Sequence, residues 1–79
     1  ESLSVREFMT SILRQLQHKQ FMEFSELFED LIRNEQPRSI LVVNFIAMLE
    51  LSRESLLELT QAEPYAPIYV RLTYQPVIN

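Results

Sequence analysis

An α+β fold is predicted for this 79-residue chain by a change in its hydrophobic period. Up to about Arg53, apolar residues recur every three to four positions, the spacing of amphipathic helices. Beyond Arg53 they alternate, the spacing of strands. A further observation is the run from Ile40 to Leu51, ILVVNFIAMLEL, which is apolar on every side when wound as a helix. It is well short of the about 20 apolar residues a membrane span needs, so it must be covered by protein on more than one side.

The first helix is expected from Val5 to His18, where Val5, Phe8, Met9, Ile12, Leu13 and Leu16 form one stripe. Ser4 followed by Glu7 reads as a capping box at its start. Phe21-Met22-Glu23-Phe24 alternates and reads as a brief strand. Ser25 is expected to cap a second helix that turns Leu27, Phe28, Leu31 and Ile32 inward, with Glu29 and Arg33 as an i,i+4 ion pair. Pro37 suits a helix N-terminus, and the third helix is expected from Arg38 to Arg53. On its wheel Val42, Phe45, Ile46 and Leu49 share one stripe. Ile40, Val43, Ala47 and Leu51 lie roughly opposite, with Leu41 and Met48 on the flank. Leu57 to Thr60 and Ile68 to Tyr74 then alternate as two strands around the loop Ala62-Glu63-Pro64-Tyr65-Ala66-Pro67, longer than a tight hairpin turn. Helix, short strand, helix, helix and hairpin is the order of a winged helix: a three-helix core with a small sheet and a wing. The whole of 1–79 is expected to be one such domain, with 75–79 as a fraying tail. The start at Glu1, without methionine, is expected of a domain cut from a longer protein.

Composition narrows the function. The chain is 47% hydrophobic and 23% charged, the balance of a globular protein, with a formal net charge of −4. Its seven Lys and Arg residues are scattered singly. Affinity for nucleic acid comes mostly from clustered cations, so this acidic chain is a poor DNA binder by itself. The lack of cysteine fits, weakly, a reducing cytoplasm, and no signal peptide or transmembrane segment is visible. Glycine is absent altogether. Turns that normally use it must rely on prolines and polar residues, with Asn34 the expected left-handed helix cap.

No catalytic or metal constellation emerges, and neither an enzyme nor a cofactor is expected. His18, the single histidine, has no partner ligand and reads as a solvent-facing residue at a helix end. Glu23, Glu26, Glu29 and Asp30 lack the spacing and the glycine of a calcium loop; Glu26 and Glu29 suit the first turn of a helix. The serines have no activating base nearby in the sequence, and a phosphate-cradling glycine loop is impossible here. Asn44 is the one amide inside the apolar helix, where a DNA-reading winged helix would contact a base edge. Leu41, Met48 and Leu51 beside it suit a protein partner better than a groove lined with phosphates. Tyr65, Tyr69 and Tyr74 around the hairpin are candidate interface anchors or half-buried sheet residues.

The segment Val42 to Leu51, VVNFIAMLEL, followed by SRESLLELTQAEPYAPIYVRL, resembles the C-terminal domain of bacterial kleisins, the segregation and condensation protein A family. Val42, Val43, Phe45, Ala47, Leu49, Glu50, Leu51, Gln61 and Ile68 stand at positions matching that family's pattern. Upstream, FSELFEDLIRN matches its Phe-x-x-Leu-Phe stretch. Asn44 stands where the family usually has Thr, Ser55 where Gly is common, and Tyr65-Ala66-Pro67-Ile68 where it has Phe-Gly-Asp-Ile. The resemblance implies a winged helix that docks on the ATPase head of an SMC protein. Other parts of the kleisin bind the partner SMC neck and ScpB, closing a ring that entraps DNA for chromosome condensation and segregation. DNA contact would then be indirect, the location cytoplasmic and nucleoid-associated, and no membrane involved. The expected head-binding residues are Leu41, Met48, Leu51, Tyr65, Ile68 and Tyr69. The competing expectation is a DNA-binding winged-helix regulator, and self-association of the isolated domain through the third helix is a further one.

Overall fold

The computed structural model describes residues 4–74. In chain order they form α1 (Val5–Lys19), β1 (Phe21–Glu23), α2 (Glu26–Arg33), α3 (Arg38–Arg53), β2 (Leu57–Gln61) and β3 (Ile68–Leu72). The fold is α+β, three helices with a small antiparallel sheet, and its element order is compatible with a winged helix. The tail expected to fray lies outside the described residues.

The sheet is larger than a hairpin. Its strand order is β1-β3-β2, so the last strand lies in the middle. Met22 pairs with Val70, and Val70 also pairs with Leu59; Leu57 pairs with Leu72. Paired residues share a face, which puts Met22, Leu57, Val70 and Leu72 together against the helices. They join Ile12 and Leu16 of α1, Leu27 of α2, and Ala47, Met48 and Leu51 of α3 in one core.

Three sequence-derived helix ends differ from expectation. Ser4 has the extended backbone of an N-cap, yet its hydroxyl makes no capping bond. It is exposed, so water can serve the open N–H groups of the first turn. Ser25 is already helical at φ −63°, ψ −29°. Its carbonyl accepts from Phe28 and Glu29 N–H, so the chain enters α2 through a turn that leaves the hydroxyl no capping role. The left-handed residue after α2 is Glu35 at φ 52°, not Asn34 at φ −87°. The helix ends at Arg33, and Asn34 keeps a right-handed backbone, so the chain reverses one residue later than expected.

That reversal follows a Schellman pattern, in which Glu35 N–H bonds the Ile32 carbonyl and Gln36 N–H bonds that of Leu31, both at 3.0 Å. The end of α3 repeats it: Ser55 N–H bonds Ser52 O at 3.0 Å and Leu56 N–H bonds Leu51 O at 2.9 Å. After α1, Gln20 N–H bonds Leu16 O at 2.7 Å in the single-bond variant. The left-handed positions carry Gln20 (φ 64°), Glu35 (52°) and Ser55 (61°), with Tyr65 (69°) in the β2–β3 loop. A residue with a Cβ gives up roughly 1–2 kcal/mol in this region, so the chain turns without glycine at a steric cost.

Two further details of α2 differ. Ile32 is exposed rather than inward, because this eight-residue helix buries only Leu27 fully, with Phe28 and Leu31 half-buried. Arg33 pairs with Asp30 at 2.9 Å, one position closer than the expected Glu29.

Candidate protein-docking surface

Helix α3 spans Arg38–Arg53 as its pattern predicts and packs against α1, α2 and β2. Val43, Asn44, Ala47, Met48 and Leu51 are buried by this cover. Val42, Phe45, Ile46 and Leu49, the stripe on the far side, remain 45–48% exposed. Four large apolar side chains in adjoining turns thus face solvent on a helix with no cation between Arg38 and Arg53. An apolar stripe of this kind is the candidate docking surface of the domain.

Met48 and Leu51, expected on the docking surface, are instead core residues at 1% and 0% exposure. They follow Asn44 and Ala47 by one turn and lie under the same cover of α1 and β2. Leu41 is half-buried at the edge. The outward stripe was visible on the helical wheel; Ala47, the one small side chain in the run, was the signal for the inward side. Asn44 is also buried, at 8% exposure, with its amide Nδ2 donating to the Ile40 carbonyl at 2.9 Å. That bond occupies one N–H of the amide within its own helix, and at 8% exposure little of Asn44 is open to a base edge or to a partner.

The sheet divides the three expected hairpin residues. Ile68 has the same side-chain parity as buried Val70 and sits half-buried on the helix-facing side, with Leu59 at its edge. Tyr69 points to the opposite face, where its ring meets Phe21 edge-on at 5.9 Å and Arg71 pairs with Glu58 at 2.8 Å. Alternation therefore keeps Ile68 and Tyr69 from lining one surface. Tyr65 is fully exposed at the loop tip. The tip is tied by Ala66 N–H to the Glu63 carbonyl at 3.0 Å and by Gln61 Nε2 to the Ala66 carbonyl at 2.9 Å.

Phe24 joins β3 to the stripe. Its N–H donates to the Ile68 carbonyl at 2.7 Å, and its ring lies 6.2 Å from that of Phe45, nearly perpendicular at 80°. Elsewhere, Glu26 accepts from Lys19 Nζ and from the Glu23 N–H, and these bonds hold its carboxyl below its usual value. His18 is exposed near the end of α1. Among the described residues no group of three or more His, Cys, Asp or Glu could hold a metal, and no helix is long and apolar enough to cross a membrane.

The described residues thus define a small α+β domain with an outward apolar helix face. Residues 1–73 match the family described as Segregation and condensation protein ScpA. The chain is 45% identical over 71 residues to Segregation and condensation protein A of Coxiella burnetii, covering 90% of this chain and 25% of that protein. It is 42% identical over 74 residues to the protein of that name from Listeria monocytogenes serotype 4a, covering 90% and 27%. The Xylella fastidiosa protein of the same name is 38% identical over 71 residues, covering 90% and 22%. No solved structure matches. The chain belongs to the ScpA family of segregation and condensation proteins, and it spans about a quarter of the length of the curated relatives it matches.

Proposed function

We propose that this domain is a non-catalytic latch that fastens a bacterial kleisin to the ATPase head of an SMC protein, in the cytoplasm and on the nucleoid. Membership of the family supports a role in chromosome segregation and condensation. The observation that carries the docking reading is the outward stripe of α3, Val42, Phe45, Ile46 and Leu49. The surface we assign comprises that stripe with Leu41 at its edge, Ile68 reached through its bond to Phe24, and Tyr65 at the tip of the β2–β3 loop. Met48 and Leu51 support it from the core, and Tyr69 lies on the other face of the sheet. ScpB and the partner SMC are bound by other parts of the whole protein, and DNA is held only through the assembled ring.

A DNA-reading role finds no support in this geometry, since α3 turns apolar side chains outward and buries its one amide. The test is titration of the chain with an isolated SMC ATPase head from the same source. Phe45→Glu and Ile46→Glu should stay folded and lose binding at least about tenfold, as expected for truncating or charging a central anchor. Undiminished affinity in both folded variants would show that α3 is not the docking face.

A further inference from the structure

Phe24, half-buried between β1 and α2, touches β3, α2 and α3 at once. Its N–H is bonded to Ile68 at the start of β3, and its carbonyl accepts from Leu27 N–H at 3.2 Å as α2 begins. Its ring lies 5.2 Å from Phe28, one turn along α2, and 6.2 Å from Phe45 on α3. Phe45 itself is 45% exposed. An outward aromatic with a free side loses rotamer freedom when a partner closes on it, and that ordering opposes binding. A neighbouring ring fixed through its own backbone removes part of the cost in advance.

We infer that Phe24 is a positioning residue: backed by Phe28 and pinned to β3, it holds the Phe45 ring in the orientation that the docking face presents. The inference rests on the docking reading of α3 and deepens it. It also gives the Phe24-x-x-Leu27-Phe28 motif a task, as a brace between sheet, α2 and α3. Phe24 acts through Phe45 and need not touch the partner.

The experiment is a double-mutant cycle on the full 79-residue chain, titrated with an isolated SMC ATPase head, with thermal unfolding recorded for each variant. Phe24→Leu should weaken binding about three- to tenfold, the span that an edge-on aromatic pair covers. In the Phe45→Ala background the same change should alter affinity less than about 1.5-fold, because nothing remains to be positioned. Phe24→Tyr, which keeps the ring, should restore affinity. If Phe24→Leu lowers the folded fraction, Phe24→Met takes its place in the cycle. Equal losses in both backgrounds, or a failure of Phe24→Tyr to restore binding, overturn the inference and leave the docking reading standing. Unchanged affinity for Phe45→Ala alone overturns both.

Discussion

Replacing Ser55 by glycine should stabilise the domain, and the size of the gain follows from its backbone. Ser55 sits at φ 61° just after α3, in the left-handed region. Relief of its Cβ clash is worth roughly 1–2 kcal/mol. Glycine also frees the unfolded chain, which takes back about 0.4–1 kcal/mol. Among the described residues Ser55 hydrogen-bonds through its backbone alone: its N–H to Ser52 and its carbonyl from Thr73 Oγ1 at 2.6 Å. Glycine keeps both bonds, and Ser55 is exposed, so no buried area is lost. The net gain is about 0.5–1 kcal/mol, or about 2–8 °C in Tm for a domain of this length. Thermal unfolding followed by circular dichroism, with Ser55→Ala as control, measures it. Alanine removes the hydroxyl but keeps the Cβ, so its Tm should stay near that of the parent chain. A Tm for Ser55→Gly equal to or below that of Ser55→Ala would refute the assignment of strain to this turn.

Other outcomes follow from burial and charge. Leu51→Ala should cost about 2–5 kcal/mol in denaturant unfolding, whereas Leu49→Ala, two positions earlier and outward, should cost under about 1 kcal/mol yet weaken SMC-head binding. The reverse pattern would mean that the two faces of α3 are misassigned. Asn44→Asp removes the donor to Ile40 and buries a carboxylate, costing about 2–4 kcal/mol at pH 7. A buried carboxyl titrates above its unfolded value near 3.9, so the loss should shrink as the pH falls toward that value; a pH-independent loss would contradict it. Glu26 is held below its usual 4.5 by Lys19 first and then by the Glu23 N–H. A depressed carboxyl stabilises above its unfolded value and loses that contribution as pH falls through the folded one. Glu26→Gln should therefore flatten the acid limb of the stability curve below about pH 4.5, and an unchanged limb would remove Glu26 from the account.

Much of the fold was legible because period is a local signal. The period marks Arg38 and Arg53 as the ends of α3 and locates α1, β1 and the two later strands to within a residue or two. Helix caps were less legible. Ser4 and Ser25 have capping chemistry, but whether a hydroxyl caps depends on how the chain enters the helix, which a residue type does not record. The pairing of β1 with β3 joins segments more than forty positions apart, beyond any local pattern. On α3 the wheel separates the exposed Val42 stripe from the buried Val43 side. Which side faced inward depended on where α1 and the sheet pack, and this placed Met48 and Leu51 in the core. Ile68 and Tyr69 show the same limit, since adjacent strand residues point to opposite faces whatever their shared apolar character.

The central place of β3 also bears on the order of assembly. Because β1 and β2 touch β3 and not each other, neither has a sheet partner until the residues from Ile68 onward have been made. A ribosome-bound chain that ends in the β2–β3 loop has its helices but no sheet, and the core residues Met22 and Leu57 have no strand between them. These distant pairings are slow to find compared with helix formation. During that interval the nascent domain exposes both its outward α3 stripe and its unfinished interior, and it is then most open to aggregation or chaperone capture. A protease cut between Gln61 and Ile68 would separate β3 from the rest of the chain, and with it the strand that holds both edges of the sheet.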